Sequence, residues 1–134
     1  MCLTIKDFNY SNPNIENYVK IAEENIHTYK VLKTYNHLNY KTKYKDDDIE
    51  SHGHFQSVKT FKNEHAKAYI GQGIHSYSTL YEAKKNFYGY SHYIIVKCFI
   101  PIGTPYILGK YNDIVSLGLF IQPLDKKGIV KLKK

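Results

Sequence analysis

Apolar residues recur along this chain with two different periods, and the change of period marks out its elements. From Tyr93 to Ile100 the period is two. Ile94, Val96, Cys98 and Ile100 line one face and Ile95 and Phe99 the other, interrupted only by Lys97, so a strand covered on both faces is predicted. Between Pro13 and Ile26 the period lengthens. Ile15, Tyr18, Val19, Ala22 and Ile26 recur at spacings of three and four, while Glu16, Asn17, Lys20, Glu23 and Glu24 occupy the opposite side. That pattern predicts an amphipathic helix packed on a sheet, started by Ser11 or Asn12 as N-cap and by Pro13 in the first turn.

The remaining segments are shorter. Thr28 to Lys33 has the β-branched and aromatic content of a first core strand, with Tyr29 and Val31 opposite Lys30 and Leu32. Ala68-Tyr-Ile70 reads as a strand, Gly71-Gln-Gly73 as a turn and Ile74 to Tyr77 as a second extended piece. Thr79-Leu-Tyr-Glu82 then fits a capping box, which starts a second short helix with Leu80, Ala83 and Phe87 on its buried face and Gly89 at its end. After Tyr93 to Ile100, a turn at Pro101-Ile-Gly103 leads to a strand from Thr104 to Leu108, and a turn from Gly109 to Asn112 leads to a closing strand from Asp113 to Ile121. Thr34 to Glu64 lacks sustained periodicity and reads as loop-rich, interrupted by edge strands at 40 to 45 and 54 to 61. The expected class is α+β: a small mixed or antiparallel sheet with an N-terminal helix and a second short helix.

Length and composition bound this picture. The 134 residues, 43% of them hydrophobic, suffice for one domain with a core of its own, expected to span 1–134 with a basic tail over 123–134. No window approaches the roughly 20 apolar residues of a membrane span and no secretory signal is visible, so a cytoplasmic protein without a membrane partner is expected. Cys2 near the terminus and Cys98 inside a predicted core strand argue against a disulfide framework and against a metal quartet. The net charge of +7 comes entirely from lysine, since all 19 basic residues are Lys. Lysine offers a hydrated point charge where arginine would offer a planar fork, so polyanion binding is open to this chain but reading of base edges is poorly served. The simplest source of this bias, together with fourteen tyrosines and no tryptophan, is an AT-rich genome.

Four groups of residues carry candidate chemistry. Tyr40, Lys41, Lys43, Tyr44 and Lys45 interleave aromatics with cations, the pattern of a base-stacking, phosphate-tracking strip, and make nucleic acid a candidate partner. His52 and His54, with His65 and the acidic run Asp46 to Asp48, have metal-ligand letters, but an exposed polar loop reads the same way, and no metal site is assigned. Cys98 falls on the inward side of its strand, where a thiol is inert. His75 and Tyr77 lie between a glycine turn and a helix start, where a phosphate can be received. With Lys30 and Tyr106 they would line a cleft for a nucleotide or an NAD-derived molecule, provided that the Lys30 strand folds beside His75.

The run Gly73-Ile74-His75-Ser76, Ala83, Ile94 to Ile100 and Gly103 to Leu108 resembles the core of the ADP-ribosyltransferase fold shared by poly(ADP-ribose) polymerases and many toxins. The resemblance spans about 40 residues, under a third of the chain. The chain also resembles small phage and giant-virus proteins with a similar Gly-Ile/Phe-His and Cys-x-Ile-Pro-x-Gly-Thr arrangement, which would place it in a host cytoplasm. The first kinship implies NAD as the cofactor-like substrate and a catalytic set matched by Lys30 for the family's Arg or His, His75 for its Tyr or Ser, with Ser76 and Ser78 as near substitutes, and Asp113 for its glutamate. Each match departs from the family: lysine lacks the bidentate geometry, and aspartate is one methylene short. The functional expectation is therefore a binding domain for a nucleotide, an NAD-derived molecule or nucleic acid, with a divergent NAD-dependent transferase as the alternative.

Overall fold

Strands dominate because β-branched and aromatic residues fill nearly every periodic segment. The structure, a computed structural model, describes residues 3–35, 39–42, 48–49, 53–63, 68–87, 93–124 and 128–130. Its strands are β1 (Leu3–Thr4), β2 (Lys20–Ile21), β3 (Ile26–Tyr35), β4 (Asn39–Thr42), β5 (Asp48–Ile49), β6 (His54–Ser57) and β7 (Lys62–Asn63). They continue with β8 (Tyr69–Gln72), β9 (Ile74–Tyr77), β10 (Tyr93–Ile100), β11 (Pro105–Leu108), β12 (Asp113–Ser116) and β13 (Gly118–Ile121). One α-helix, α1 (Leu80–Phe87), stands between β9 and β10. Every strand pairing is antiparallel, in a large sheet ordered β2-β11-β12-β9-β3-β10-β13-β6 and a small one ordered β1-β8-β7.

The expected α+β class with two helices is thus corrected to an antiparallel β fold with one α-helix among the described residues. The segment that fails to form a helix is the N-terminal one, which keeps only a 3₁₀ turn at Ile15–Tyr18. Asn14 caps that turn, its Oδ1 accepting from the Glu16 N–H at 3.1 Å. The Tyr18 hydroxyl accepts from the Asn9 N–H at 2.9 Å and donates to the Asn12 carbonyl at 3.0 Å, which pins the turn to the preceding loop. Val19 is already extended at φ −75° and ψ 128°. The apolar stripe is real but serves two cores: Ile15, Tyr18 and Val19 pack with Leu3, Ile5 and Ile70, whereas Ala22 and Ile26 join the cluster around Val96 and Leu119. A straight helix presents one stripe to one partner, and here tertiary packing outweighs the local pattern.

The single predicted strand from Asp113 to Ile121 is two, bent at Leu117, whose N–H donates to the Pro105 carbonyl and whose carbonyl accepts from Val58. This bend sets the shape of the molecule. In the sheet order β12 and β13 are four strand positions apart, about 19 Å if the sheet were flat, yet one residue joins them, and two Cα steps reach only about 7.6 Å. The sheet therefore curls around an inner face. That face carries Leu32, Ile74, Val96, Cys98, Ile100, Ile114, Leu119 and Ile121, all buried. On the outer face α1 covers Val31, Tyr77 and Ile95 through Ala83 and Leu80, and the small sheet covers Ile107 and Val115 through Leu3, Ile5 and Ile70. Residues 128–130 of the basic tail are docked rather than solvated: Gly128 accepts from Lys97, and Val130 donates to Ile95.

Candidate functional site

β3 carries the centre of the site because it is shared by three neighbours. It pairs with β10 from Ile26 to Lys33 along one edge. Along the other edge it meets β9 at the single pair Tyr29–Tyr77 and β4 from Leu32 onward. Where β9 parts from β3 and β4 takes over, the sheet forks. Lys30 stands opposite Val96, which places it on the inner face, and its ammonium reaches across the fork to donate to the His75 carbonyl at 2.9 Å.

The juxtaposition expected from sequence, a lysine-bearing strand beside His75, is therefore present, but it joins an ammonium to a backbone carbonyl. Strand alternation sends the two side chains to opposite faces. His75 stands opposite Val115 and Tyr77 opposite Asp113, all on the outer face, where Tyr77 packs with Ala83 and Ile95. Tyr106, opposite Ser116 and Lys20, lies half-buried against the inner cluster. The four residues of the expected cleft thus divide, with Lys30 and Tyr106 inside and His75 and Tyr77 outside.

The inner-face neighbour of Lys30 on β9 is Ser76, one step along the register from the Tyr29–Tyr77 pair. Thr28 follows two residues back on β3, opposite Cys98. Ser76 is 2% and Thr28 1% exposed, and neither hydroxyl has a hydrogen-bond partner. Buried hydroxyls without partners are rare and call for a physical explanation. Ser76 appears in the sequence reading only as a substitute for His75. Nothing in the local pattern could promote it, because the shared face follows from how β3 pairs with β9. Cys98 completes this inner surface. Burial pushes its thiol pKa up to about 12, a rise the nearby Lys30 charge moderates, so it is a packed apolar group as expected.

Asp113 has a structural task. Its Oδ1 accepts from the Tyr111 N–H at 3.3 Å, its carbonyl accepts from Gly109 at 2.7 Å, and Asn112 takes the left-handed conformation at φ 56°. A Cβ on Gly109 would fall 2.0 Å from that same Oδ1, so the carboxylate fills the space under its own turn. Burial raises its pKa, hydrogen bonds from the Tyr111 and Asp113 N–H groups oppose the rise, and the charge of Glu82 adds to it. A folded-state value above the unfolded one means that the folded protein holds this proton more tightly. The associated stability is complete below about pH 4 and is lost as pH rises through the folded-state value. Asp113→Asn keeps the acceptor without the charge. Melting temperatures of the two proteins should match near pH 3, and the variant should gain on the wild type toward pH 7; the opposite trend would mean that the carboxylate is paired with a cation.

Tyr40, of the basic-aromatic strip, sits in β4 opposite Thr34 and Ile49 and packs against the inner cluster. Its ring is thus partly buried against that cluster. Lys41 stands opposite Lys33 and Asp48, and Lys43, Tyr44 and Lys45 lie outside the described residues. No protein family, curated protein or solved structure matches the chain. Among the described residues no group of three or more His, Cys, Asp or Glu could hold a metal ion. No helix there is long and apolar enough to cross a membrane.

Proposed function

We propose that this chain is a binding domain for a nucleotide or an NAD-derived molecule, whose anionic part is received at the fork beside β3. The observation that carries this reading is the set of donors on one face: the Lys30 ammonium, held at 2.9 Å from the His75 carbonyl, with the buried Thr28 and Ser76 hydroxyls beside it and without partners of their own. A phosphate oxygen accepts from ammonium and hydroxyl alike, and such charge-assisted bonds in a partly dry site are stronger than neutral ones. Thr28 and Ser76 would then donate to a ligand oxygen.

Titration calorimetry with AMP, ADP-ribose and NAD tests the reading. One of the three should bind, and Lys30→Ala and Ser76→Ala should each weaken binding by about tenfold, the effect of losing one hydrogen bond to a charged group. Failure of all three to bind, or binding indifferent to both substitutions, would remove the proposal. The transferase alternative draws support from the adjacency of β3, β9 and β12, which sets Lys30, His75 and Asp113 on three consecutive strands. It is opposed by the placement of the Asp113 carboxylate under its own turn. Release of nicotinamide from NAD, lost in Asp113→Ala, would decide for the enzyme.

A further inference from the structure

A second fork lies at the far edge of the large sheet, along β11. β2 pairs there at Pro105–Ile21 and Tyr106–Lys20. Two residues further on the N-terminal segment takes over: Ile5 bridges Gly109, the Lys6 N–H donates to the Leu108 carbonyl at 3.0 Å, and the Lys110 N–H donates to Thr4 at 2.8 Å. Between the two segments opens a pocket of about 250 Å³ whose lining includes Ile5, Lys6, Asp7, Tyr18, Lys20 and Leu108.

Its chemistry follows from the register. Lys6 stands beside Leu108 and Lys20 opposite Tyr106, so both lysines leave the same face of the sheet from backbones about 7 Å apart along the strand direction. Neither ammonium is within ion-pair distance of Asp7 or of any other carboxylate among the described residues. Two cations and one carboxylate thus line one small recess, leaving a net positive charge that favours an anion there. Asp7 is held in the left-handed conformation at φ 57°, a conformation that non-glycine residues keep only when the surrounding structure enforces it. The Tyr18 ring is fixed by its two hydroxyl contacts to the Asn9–Asn12 loop and gives the pocket an aromatic wall, with Ile5 and Leu108 as apolar lining.

We propose that this pocket binds a small phosphate monoester of a polyol. The phosphate, carrying close to two negative charges at neutral pH, sits between the Lys6 and Lys20 ammoniums. The carbon skeleton lies on Leu108 and Tyr18, and the Asp7 carboxylate accepts from a hydroxyl. The pocket, smaller than those that enclose drug-sized ligands, is too small for a dinucleotide. The site is separate from the fork beside β3 and uses none of its residues.

Calorimetry of the full chain with glycerol 3-phosphate, inorganic phosphate and glycerol provides the test. Glycerol 3-phosphate should bind with one-to-one stoichiometry and weaken as salt rises, glycerol should not bind, and Lys6→Ala and Lys20→Ala should each cost about tenfold in affinity. Asp7→Asn should weaken glycerol 3-phosphate more than inorganic phosphate, while Lys97→Ala, at an exposed position of β10 outside both sites, should leave both unchanged. Both lysines are exposed, so these variants should melt as the wild type does. Absence of binding, equal binding by the Lys6→Ala/Lys20→Ala double variant, or loss of binding in Lys30→Ala would overturn the assignment; the last would place the phosphate at the other fork.

Discussion

Gly73→Ala should destabilise the protein by about 3–5 kcal/mol, the range of the most damaging single substitutions. Gly73 has φ +150° between β8 and β9, and a Cβ there would stand 2.1 Å from Val115 Cγ2 and 3.2 Å from the Phe61 ring. Val115 is fully buried under the small sheet, so it cannot yield without moving β12. Domains of this size are stable by only about 5–15 kcal/mol, and the loss should appear as a large drop in the urea midpoint with an unchanged slope. Gly103→Ala is the matched comparison. Gly103 also has a positive φ, of 86°, but a Cβ there meets nothing within 4 Å, so only backbone strain of about 1–2 kcal/mol is expected. Equal effects of the two substitutions would show that β8, β9 and β12 do not meet as described.

Leu119→Ala should cost about 2–5 kcal/mol, the range for emptying a filled core position. Leu119 is fully buried on β13 among Val96 and Cys98 of β10, Ile114 of β12 and Ile121 of β13. Its burial depends on the sheet curling at Leu117. In an open sheet the same side chain would be half-covered, and its truncation would cost on the order of 1 kcal/mol. Lys97→Ala, on an exposed position of neighbouring β10, should change stability by no more than about 0.5 kcal/mol. Denaturation midpoints of the two variants therefore test the curled architecture directly.

Both effects rest on features that were unequally legible in the residues. The alternation in β10 is unambiguous because a strand buried on both faces needs apolar residues at nearly every position, and its bounds come out as read, Tyr93–Ile100. The helix after Thr79 is equally local: the Thr79 hydroxyl accepts from the Glu82 N–H at 3.2 Å, the N-cap half of a capping box, while the Glu82 carboxylate lies 3.7 Å from Lys85. Of the two edge strands expected in the loop-rich stretch, β6 forms at the sheet edge over His54–Ser57, whereas β4, Asn39–Thr42, is paired on both sides by β3 and β5. The N-terminal helix misled because spacings of three and four can also arise when consecutive short pieces bury residues into different clusters. The split of the last strand at Leu117 was invisible because a bend changes partners without changing alternation.

The candidate site shows the same division. Lys30, His75 and Asp113 do lie on neighbouring strands, yet sharing a face is a question of register, and a shift of one residue sends a side chain to the other side of the sheet. Register placed Ser76 and Thr28 with Lys30, left His75 on the opposite face, and turned Asp113 into a cap for its own turn.

The residues by themselves determined the central strand Tyr93–Ile100 and the short helix after Thr79, that the cations are all lysine, and that Cys98 points inward. These are short-range properties, fixed by alternation, capping and composition within a few residues. Pairing order, the curl at Leu117, the two forks and the company kept by Lys30, Lys6 and Lys20 were decided only in the folded molecule. Each is a contact between segments far apart in the chain, selected by burial of whole faces that no local stretch can specify.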